Sequence, residues 1–328
     1  MMLQKTTGFA LVILSVFGCK FAEAAQWDFA TVNAPTSYQS KLNERFAAEV
    51  SAATKGEVKI TVHAGGQLGF KGPDMLGALR DGLVPIGSML LSQQAGLSPL
   101  LGTSAVPYLV SGFDEAQTFR TVSKPYLDAE YARFNQKLLY IVPWPGQNVY
   151  SKAELATPDT LATMKIRTPD RSGAEFFRTL GASPAQIPLG ELVPALATGV
   201  IDSVSTSSST AVDAQFWEFL KYCTVIKWQT LLEGVSVNLD SWNELSPENQ
   251  KIVGDVAARL EPEFWLAAKA EDEKNFQTLV AKGLQVKEPS AEVRAFVTER
   301  GKASWASFEE AVPSAKPLIE AYLAAAGK

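Results

Sequence analysis

The sequence predicts an α/β protein built of two lobes, and three observations lead to this expectation. Short segments with β-type alternation recur along the chain, separated by segments with the apolar spacing of amphipathic helices. The chain has 328 residues, which is more than one hydrophobic core usually organises. Residues 165–202 alone have the pattern of a β-α-β-α-β unit, and such units build parallel sheets.

The first residues have the composition of a targeting segment. Lys5 supplies a positive charge, residues 8–18 form an apolar core, and residues 22–24 form a small-residue cleavage site. The apolar core is too short to cross a bilayer as a stable helix. We therefore expect residues 1–25 to be a signal peptide that exports the mature protein.

Charge and cysteine content narrow the possible partners. The whole chain carries a net charge of −5, which becomes −6 without residues 1–25 and argues against nucleic acid and anionic lipid. Cys223 is the one cysteine outside the signal peptide, so no intramolecular disulfide is expected. Cys19 lies in a poor lipid-attachment motif, which makes lipidation the less favoured alternative. We expect a monomer.

Apolar periodicity predicts the elements of the first lobe. Residues 27–32 are expected to form a strand, followed by a helix that ends near Gly56. Residues 57–63 alternate between apolar and polar side chains and predict the second strand. Residues 85–91 and 138–144 predict two further strands.

The second lobe begins with a strand at residues 165–168, which Pro169 ends because proline cannot donate to a sheet ladder. Ser172 and Glu175 have the spacing of a capping box, so a helix is expected to begin at Gly173. The chain then predicts further elements of the same kind. These are a helix at 190–198, a strand at 200–205, a helix at 212–221, and strands at 222–228 and 235–239.

Motifs for catalysis are missing from the sequence. His63 is the one histidine, and it lies in an alternating strand without a cysteine or carboxylate nearby in sequence. The glycines of residues 65–69 have neither the P-loop spacing nor the dinucleotide-binding spacing, so they predict a turn. No nucleophile elbow, C-x-x-C or H-E-x-x-H motif is present. We expect no enzyme, no metal and no cofactor, with a periplasmic enzyme as the alternative from another class.

Residues 165–202 resemble the core signature of solute-binding proteins of TRAP (tripartite ATP-independent periplasmic) transporters, of the C4-dicarboxylate-binding type. The family pattern has the segments K-[IVL]-R-x-P, G-A-x-P and P-[FLM]-[GS]-E-[VL]-x-x-A-L-x-T-G-x-[VI]-D. The matching residues are Lys165, Ile166, Arg167, Pro169, Gly181, Ala182, Pro184, Pro188, Leu189, Gly190, Glu191, Leu192, Ala195, Leu196, Thr198, Gly199, Ile201 and Asp202.

The resemblance implies a periplasmic binding protein of the type II-like kind, whose cleft closes on an organic acid and delivers it to TRAP membrane permease subunits. Lobe 1 would comprise residues 26–144 and 232–271, and lobe 2 residues 145–231 and 272–328. A long helix from Ser246 would span both lobes, and the helices after it would pack on lobe 2. A receptor for a sensor or for an ATP-driven importer is the alternative within binding.

Hinges are expected where the chain crosses between the lobes. A hinge is expected at residues 144–148, because two prolines and a glycine surround Trp144 in residues 143–146 and favour a rigid, irregular crossing. The return crossing is expected at residues 231–236. Closure about these segments would bury the ligand.

The resemblance assigns Arg167 to the ligand carboxylate, and a guanidinium can match a carboxylate with two parallel hydrogen bonds. Gln147 stands where family members that bind dicarboxylates or acidic sugars often have a second arginine. A second ligand carboxylate is therefore less favoured than a carbonyl or hydroxyl group. Thr206 replaces an asparagine of the family pattern and keeps a hydrogen-bonding group.

Several further side chains are predicted to line the cleft. Trp144 and Leu189 match cleft positions of the family, whereas a residue at strand spacing such as Met89 is more often part of the core. The candidate ligand-binding residues are Arg167, Gln147, Trp144, Leu189, Thr206, Asn33, Phe70, Met89 and Trp217. This set favours a monocarboxylate with an apolar or aromatic, hydroxy or keto body. A sugar acid or a C4-dicarboxylate is the alternative ligand.

Overall fold

The computed structural model describes residues 24–328. The predicted signal peptide, residues 1–25, lies outside this part of the chain except for its last two residues. Within residues 24–328, no helix combines the length and the apolar character that a membrane span needs.

Strands and helices alternate along most of the described chain. The strands are β1 (Ala25–Ala30), β2 (Val58–His63), β3 (Ile86–Leu90), β4 (Gln136–Pro143), β5 (Asn148–Ser151), β6 (Lys165–Thr168), β7 (Ser183–Gln186), β8 (Ser203–Thr206), β9 (Tyr222–Thr224), β10 (Leu232–Asn238) and β11 (Gln285–Lys287). The helices are α1 (Tyr38–Ala53), α2 (Met75–Arg80), α3 (Phe113–Arg133), α4 (Pro158–Leu161), α5 (Arg171–Thr179), α6 (Leu192–Ala197), α7 (Ser208–Asp213), α8 (Leu239–Asn243), α9 (Pro247–Ala281), α10 (Ala291–Lys302), α11 (Trp305–Ala311) and α12 (Lys316–Ala326).

The strands form two separate sheets. The first sheet has the order β2-β1-β3-β10-β4, and the second has the order β11-β9-β5-β8-β6-β7. β10 is antiparallel to both of its neighbours, whereas β1 is parallel to β2 and β3. In the second sheet β6 is parallel to β7 and β8, and β5 is antiparallel to β8 and β9. The predicted two-lobed α/β fold is confirmed, while the residue boundaries of the lobes stay a prediction.

The chain passes between the two sheets three times. It leaves the first sheet after β4, returns to it at β10, and crosses again along α9, which is 35 residues long. Leu260 of α9 packs in a core of the first sheet, and Leu279 packs in a core of the second. The predicted helix across both lobes is therefore confirmed. The two strand crossings lie side by side, because Trp144 N donates to Leu231 O over 2.8 Å.

The C-terminal helices depart from the expectation that they pack on lobe 2. Residues of α12 lie in a core of the first sheet, where the ring of Tyr322 is 5.3 Å from that of Phe119 in α3. Tyr322 also donates a hydrogen bond of 3.1 Å to the carbonyl of Leu109. Trp305 and Phe308 of α11 pack against the same core. The expectation is wrong for α11 and α12, and α10 alone packs its apolar face on the second sheet.

The predicted capping box of α5 is also wrong. Asp170 is the N-cap, because its Oδ1 accepts a hydrogen bond of 2.8 Å from Gly173 N. Ser172 donates instead to the carbonyl of Ala105, and Glu175 forms a surface ion pair with Arg171. The helix therefore begins two residues earlier than the sequence pattern indicates.

Two more predicted elements are shorter than expected. In place of the predicted helix at 212–221, the structure has α7, which begins after its N-cap Ser207 and ends at Asp213. Gln215, two residues later, has a positive φ of 49°. A residue in the left-handed region breaks an α-helix. The predicted strand at 222–228 ends at Thr224, and Lys227 also has a positive φ, of 43°.

Substitution of the N-cap tests the corrected start of α5. Asp170→Ala removes the acceptor for Gly173 N and is expected to lower the free energy of unfolding by about 1–2 kcal/mol. Glu175→Ala removes an exposed ion pair and is expected to change that free energy by less than about 0.5 kcal/mol. Urea denaturation followed by circular dichroism measures both values. Equal losses would contradict the assignment of the cap.

Candidate ligand-binding cleft

A cleft lies between the two sheets. Its empty space is about 480 Å³ including the part that is open to solvent. The first sheet and the loops that follow its strands contribute Val32, Asn33, Ser88, Leu90, Gln93 and Glu233. The crossings contribute Trp144, Gln147 and Leu231, and the second lobe contributes Arg167, Pro169, Leu189, Thr206 and Thr210.

Arg167 is a buried cation in this cleft. It lies on β6, between β7 and β8, and is 2% exposed. Its Nε donates to the carbonyl of Ile187 over 2.9 Å, and within residues 24–328 this is the one hydrogen bond of the guanidinium. Burial lowers the pKa of Arg167 to about 10, and the attraction of Asp170 opposes that change. The group is therefore charged at neutral pH, and its Nη donors remain available.

Glu233 is a buried anion contributed by the first sheet. It lies on β10 and is 4% exposed. Its Oε1 accepts from Asn33 Nδ2 over 2.7 Å, and its Oε2 accepts from Trp144 Nε1 over 2.8 Å. Burial raises the pKa of this carboxyl, while hydrogen bonds from Ser88, Trp144 and Asn33 act in the opposite direction. Both carboxyl oxygens accept hydrogen bonds from N–H donors, which favours the ionised form, so the cleft has groups of opposite charge on its two sides.

Trp144 and Gln147 lie on the crossing between the sheets. The ring of Trp144 packs edge-on against Tyr38, with the ring centroids 6.5 Å apart, and contacts Leu231. Gln147 is buried, and its Nε2 donates to the carbonyl of Pro145 over 3.1 Å. These contacts fix both side chains before any ligand binds. Among the lining residues described above, Arg167 is the one cation.

Six of the nine candidate residues lie in the cleft, and three do not. Phe70 lies beside a small separate cavity near Met75, and Met89 is buried in a core of the first sheet. Its neighbours Ser88 and Leu90 line the cleft instead, because successive side chains of a strand point to opposite faces. Trp217 packs against a core of the second sheet, away from the cleft.

His63 has a structural partner that its sequence neighbours do not reveal. Its Nε2 lies 2.8 Å from Asp28 Oδ1 on the adjacent strand β1. Neither residue lines the cleft. The pair joins two parallel strands at the edge of the first sheet.

The sequence analysis missed several lining residues, among them Glu233, Ser88, Gln93 and Thr210. One signal for Glu233 was available, since it is the single charged residue within β10, Leu232–Asn238. A charged side chain inside a strand of buried residues is rare unless it is paired or functional. The other three are small or neutral polar residues, whose sequence context carries no comparable signal.

Two contacts connect the sides of the cleft across its opening. Gln93 Nε2 donates to the carbonyl of Pro169 over 3.0 Å, and Lys71 Nζ lies 2.9 Å from Glu191 Oε1. Gly72 lies directly against Gln93, so that a Cβ at this position would overlap Gln93 Oε1. The loop at residues 71–72 therefore supports both contacts.

Known proteins share this architecture. The family model for bacterial extracellular solute-binding protein, family 7 (DctP), matches residues 29–311. The structure is similar to DctP7, a Bordetella pertussis extracytoplasmic solute receptor binding pyroglutamic acid, with a TM-score of 0.88 and 27% identity over 91% of this chain and 99% of that chain. It is also similar to a TRAP solute-binding protein specific for pyroglutamate from an unidentified marine microbe, with a TM-score of 0.86 and 28% identity over 92% and 99% of the two chains.

A similarity in sequence extends over nearly the whole chain. The 2,3-diketo-L-gulonate-binding periplasmic protein YiaO of Escherichia coli is 26% identical over 97% of this chain and 98% of its own length. The match of the family model covers most of the chain and includes the segment around Arg167. This chain therefore belongs to the DctP family, bacterial extracellular solute-binding protein family 7, as the resemblance in residues 165–202 predicted.

Proposed function

We propose that this protein is the solute receptor of a TRAP transporter, and that it captures a small monocarboxylate with Arg167. The observation that carries the proposal is the buried guanidinium with free Nη donors in the cleft between the two sheets. Burying a charge without a partner is costly, so a site that keeps one is suited to an anion. A carboxylate would accept two parallel hydrogen bonds from the guanidinium.

The charges of the cleft favour one carboxylate over two. Arg167 can neutralise a single carboxylate, and Gln147 occupies the place of a second cation. A second carboxylate near Glu233 would meet a negative charge, which is unfavourable in a site excluded from water. C4-dicarboxylates are therefore the less favoured alternative, and sugar acids with one carboxylate remain within the proposal.

Pyroglutamate is the first ligand to test. Two receptors of similar structure bind it, and it carries one carboxylate on a compact ring. The walls formed by Trp144, Leu90 and Leu231 offer apolar contact for such a ring. The ring would lie between these side chains with its carboxylate on Arg167.

Substitution of Arg167 tests the anchor. Arg167→Ala is expected to weaken binding of the acid at least about 30-fold, since truncating one partner of a buried charge pair costs about 2–5 kcal/mol. The melting temperature without ligand should not fall, because the variant removes a buried charge with one hydrogen bond. Arg171→Ala, which removes an exposed guanidinium on the next helix, is the matched control.

Thermal unfolding with a panel of organic acids measures both effects. For the wild type, an acid at a hundred times its dissociation constant should add about 2.7 kcal/mol of stability. Unchanged affinity of Arg167→Ala for the acid that stabilises the wild type would refute the anchor. Recovery of a chemically altered acid after denaturation of the complex would favour the alternative of a periplasmic enzyme.

Substitution of Gly72 tests the contacts across the opening. Gly72→Ala should displace Gln93 and break its hydrogen bond to Pro169, which is expected to raise the rate of ligand dissociation up to about tenfold. Gln93→Ala should have the same effect. Gly96→Ala is the control, because its added Cβ would meet no atom within 4 Å. Stopped-flow dissociation rates equal to those of the wild type in both variants would contradict a role in closure.

A further inference from the structure

Glu233 is a group that the capture of a carboxylate by Arg167 does not use. It lines the same cleft from the opposite sheet and is almost completely buried. A simple monocarboxylate receptor gains nothing from a second charge of the same sign as its ligand. The capture of a carboxylate by Arg167 therefore does not explain why a buried glutamate lines the cleft.

The hydrogen bonds of Glu233 orient its carboxylate without neutralising it. Its partners, the amide of Asn33, the indole of Trp144 and the hydroxyl of Ser88, are uncharged donors. Within residues 24–328, no lysine, arginine or histidine forms an ion pair with it. Three donors leave room for another, because an ionised carboxylate can accept about four hydrogen bonds in all. Acceptor capacity thus remains at a fixed place in the cleft.

The support around Glu233 is rigid. β10 lies between β3 and β4 in the middle of the first sheet, and Gly234 packs so closely on Tyr131 that an added Cβ would overlap the Tyr131 hydroxyl. Trp144 is held in turn by Tyr38 and Leu231. A carboxylate fixed in this way can discriminate between ligands by the geometry of one hydrogen bond.

We propose that Glu233 is a specificity-determining residue that accepts a hydrogen bond from the body of the ligand. The ligand class is then narrowed to monocarboxylates that carry an N–H or O–H donor apart from the carboxylate, such as lactams, cyclic amines or hydroxy acids. Acids whose body carries acceptors alone are rejected, because they would leave Glu233 unpaired and place lone pairs against it. This inference rests on the proposed function, since it assumes a carboxylate on Arg167.

Matched ligand pairs test the inference by exchanging N–H for oxygen at constant shape. The pairs are pyroglutamate with its lactone analogue 5-oxotetrahydrofuran-2-carboxylate, and N-acetylglycine with acetoxyacetate. For any pair that binds, isothermal titration calorimetry should show that the N–H acid binds at least about tenfold more tightly than its oxygen analogue. A hydrogen bond to a charged group has an effect of this size. The comparison uses the wild-type protein and does not depend on the folding of a variant.

Glu233→Gln should abolish the preference within a pair. The NH2 group of the new glutamine would face the donor of Asn33 or of Trp144. One side-chain oxygen would remain as an acceptor, where the glutamate has two. Glu130→Gln is the matched control, because Glu130 is also a buried glutamate with hydrogen bonds, on α3 and outside the cleft. This variant should keep the full preference.

Three results would overturn the inference. They are equal affinity for both members of a pair, an undiminished preference in Glu233→Gln, and binding of none of the N–H acids. In each case the comparison of Arg167→Ala with the wild type decides separately whether the cleft takes a carboxylate. Tight binding of the oxygen analogues with loss in Arg167→Ala would leave the proposed function standing without this inference.

Discussion

The burial of one guanidinium is the constraint on which the rest of the cleft depends. Arg167 is removed from water, yet the protein offers it one backbone carbonyl and the field of Asp170. Desolvation of a charge opposes folding unless other groups compensate it. β6 can hold the charge there because it is paired on both sides, by β7 and β8. The guanidinium of Arg167 can therefore still attract an anion in the folded protein.

The cleft is assembled from parts that neither sheet contains alone. The first sheet supplies Glu233 and the second supplies Arg167, while the crossing supplies Trp144 and Gln147. Trp144 connects the crossing with the first sheet, since it follows β4 and donates to a carboxylate on β10. The geometry of the site therefore depends on how closely the two sheets approach each other. A ligand that contacts both sheets would therefore shift the population toward the closed arrangement.

Local patterns predicted the fold class and the position of Arg167 in the cleft, because both predictions depend on short stretches of sequence. The β-α-β-α-β pattern and the family signature fall within residues 165–202. Met89 was placed in the cleft wrongly, since β3 is buried on both faces and its periodicity does not show which face meets the cleft. A strand that is buried on both faces has no polar face, so its sequence does not show which of its side chains point toward the cleft.

Long-range contacts account for what the sequence did not predict. Glu233 reaches the cleft because β10 returns to the first sheet and inserts between β3 and β4. Its partner Asn33 is 200 positions away in the chain. The cap of α5 was misassigned for a local reason, as Asp170 and Ser172 are both good capping residues and only one can cap.

The return of α12 to the first sheet has a consequence for the order of assembly. The strands from β5 to β9 follow one another in the chain, so most of the second sheet can form from a continuous segment. The first sheet needs β10, and one of its two cores needs Leu318, Ile319 and Tyr322 near the end of the chain. The lobe that contains the start of the described chain therefore also contains its end, and its core is complete only when α12 is in place.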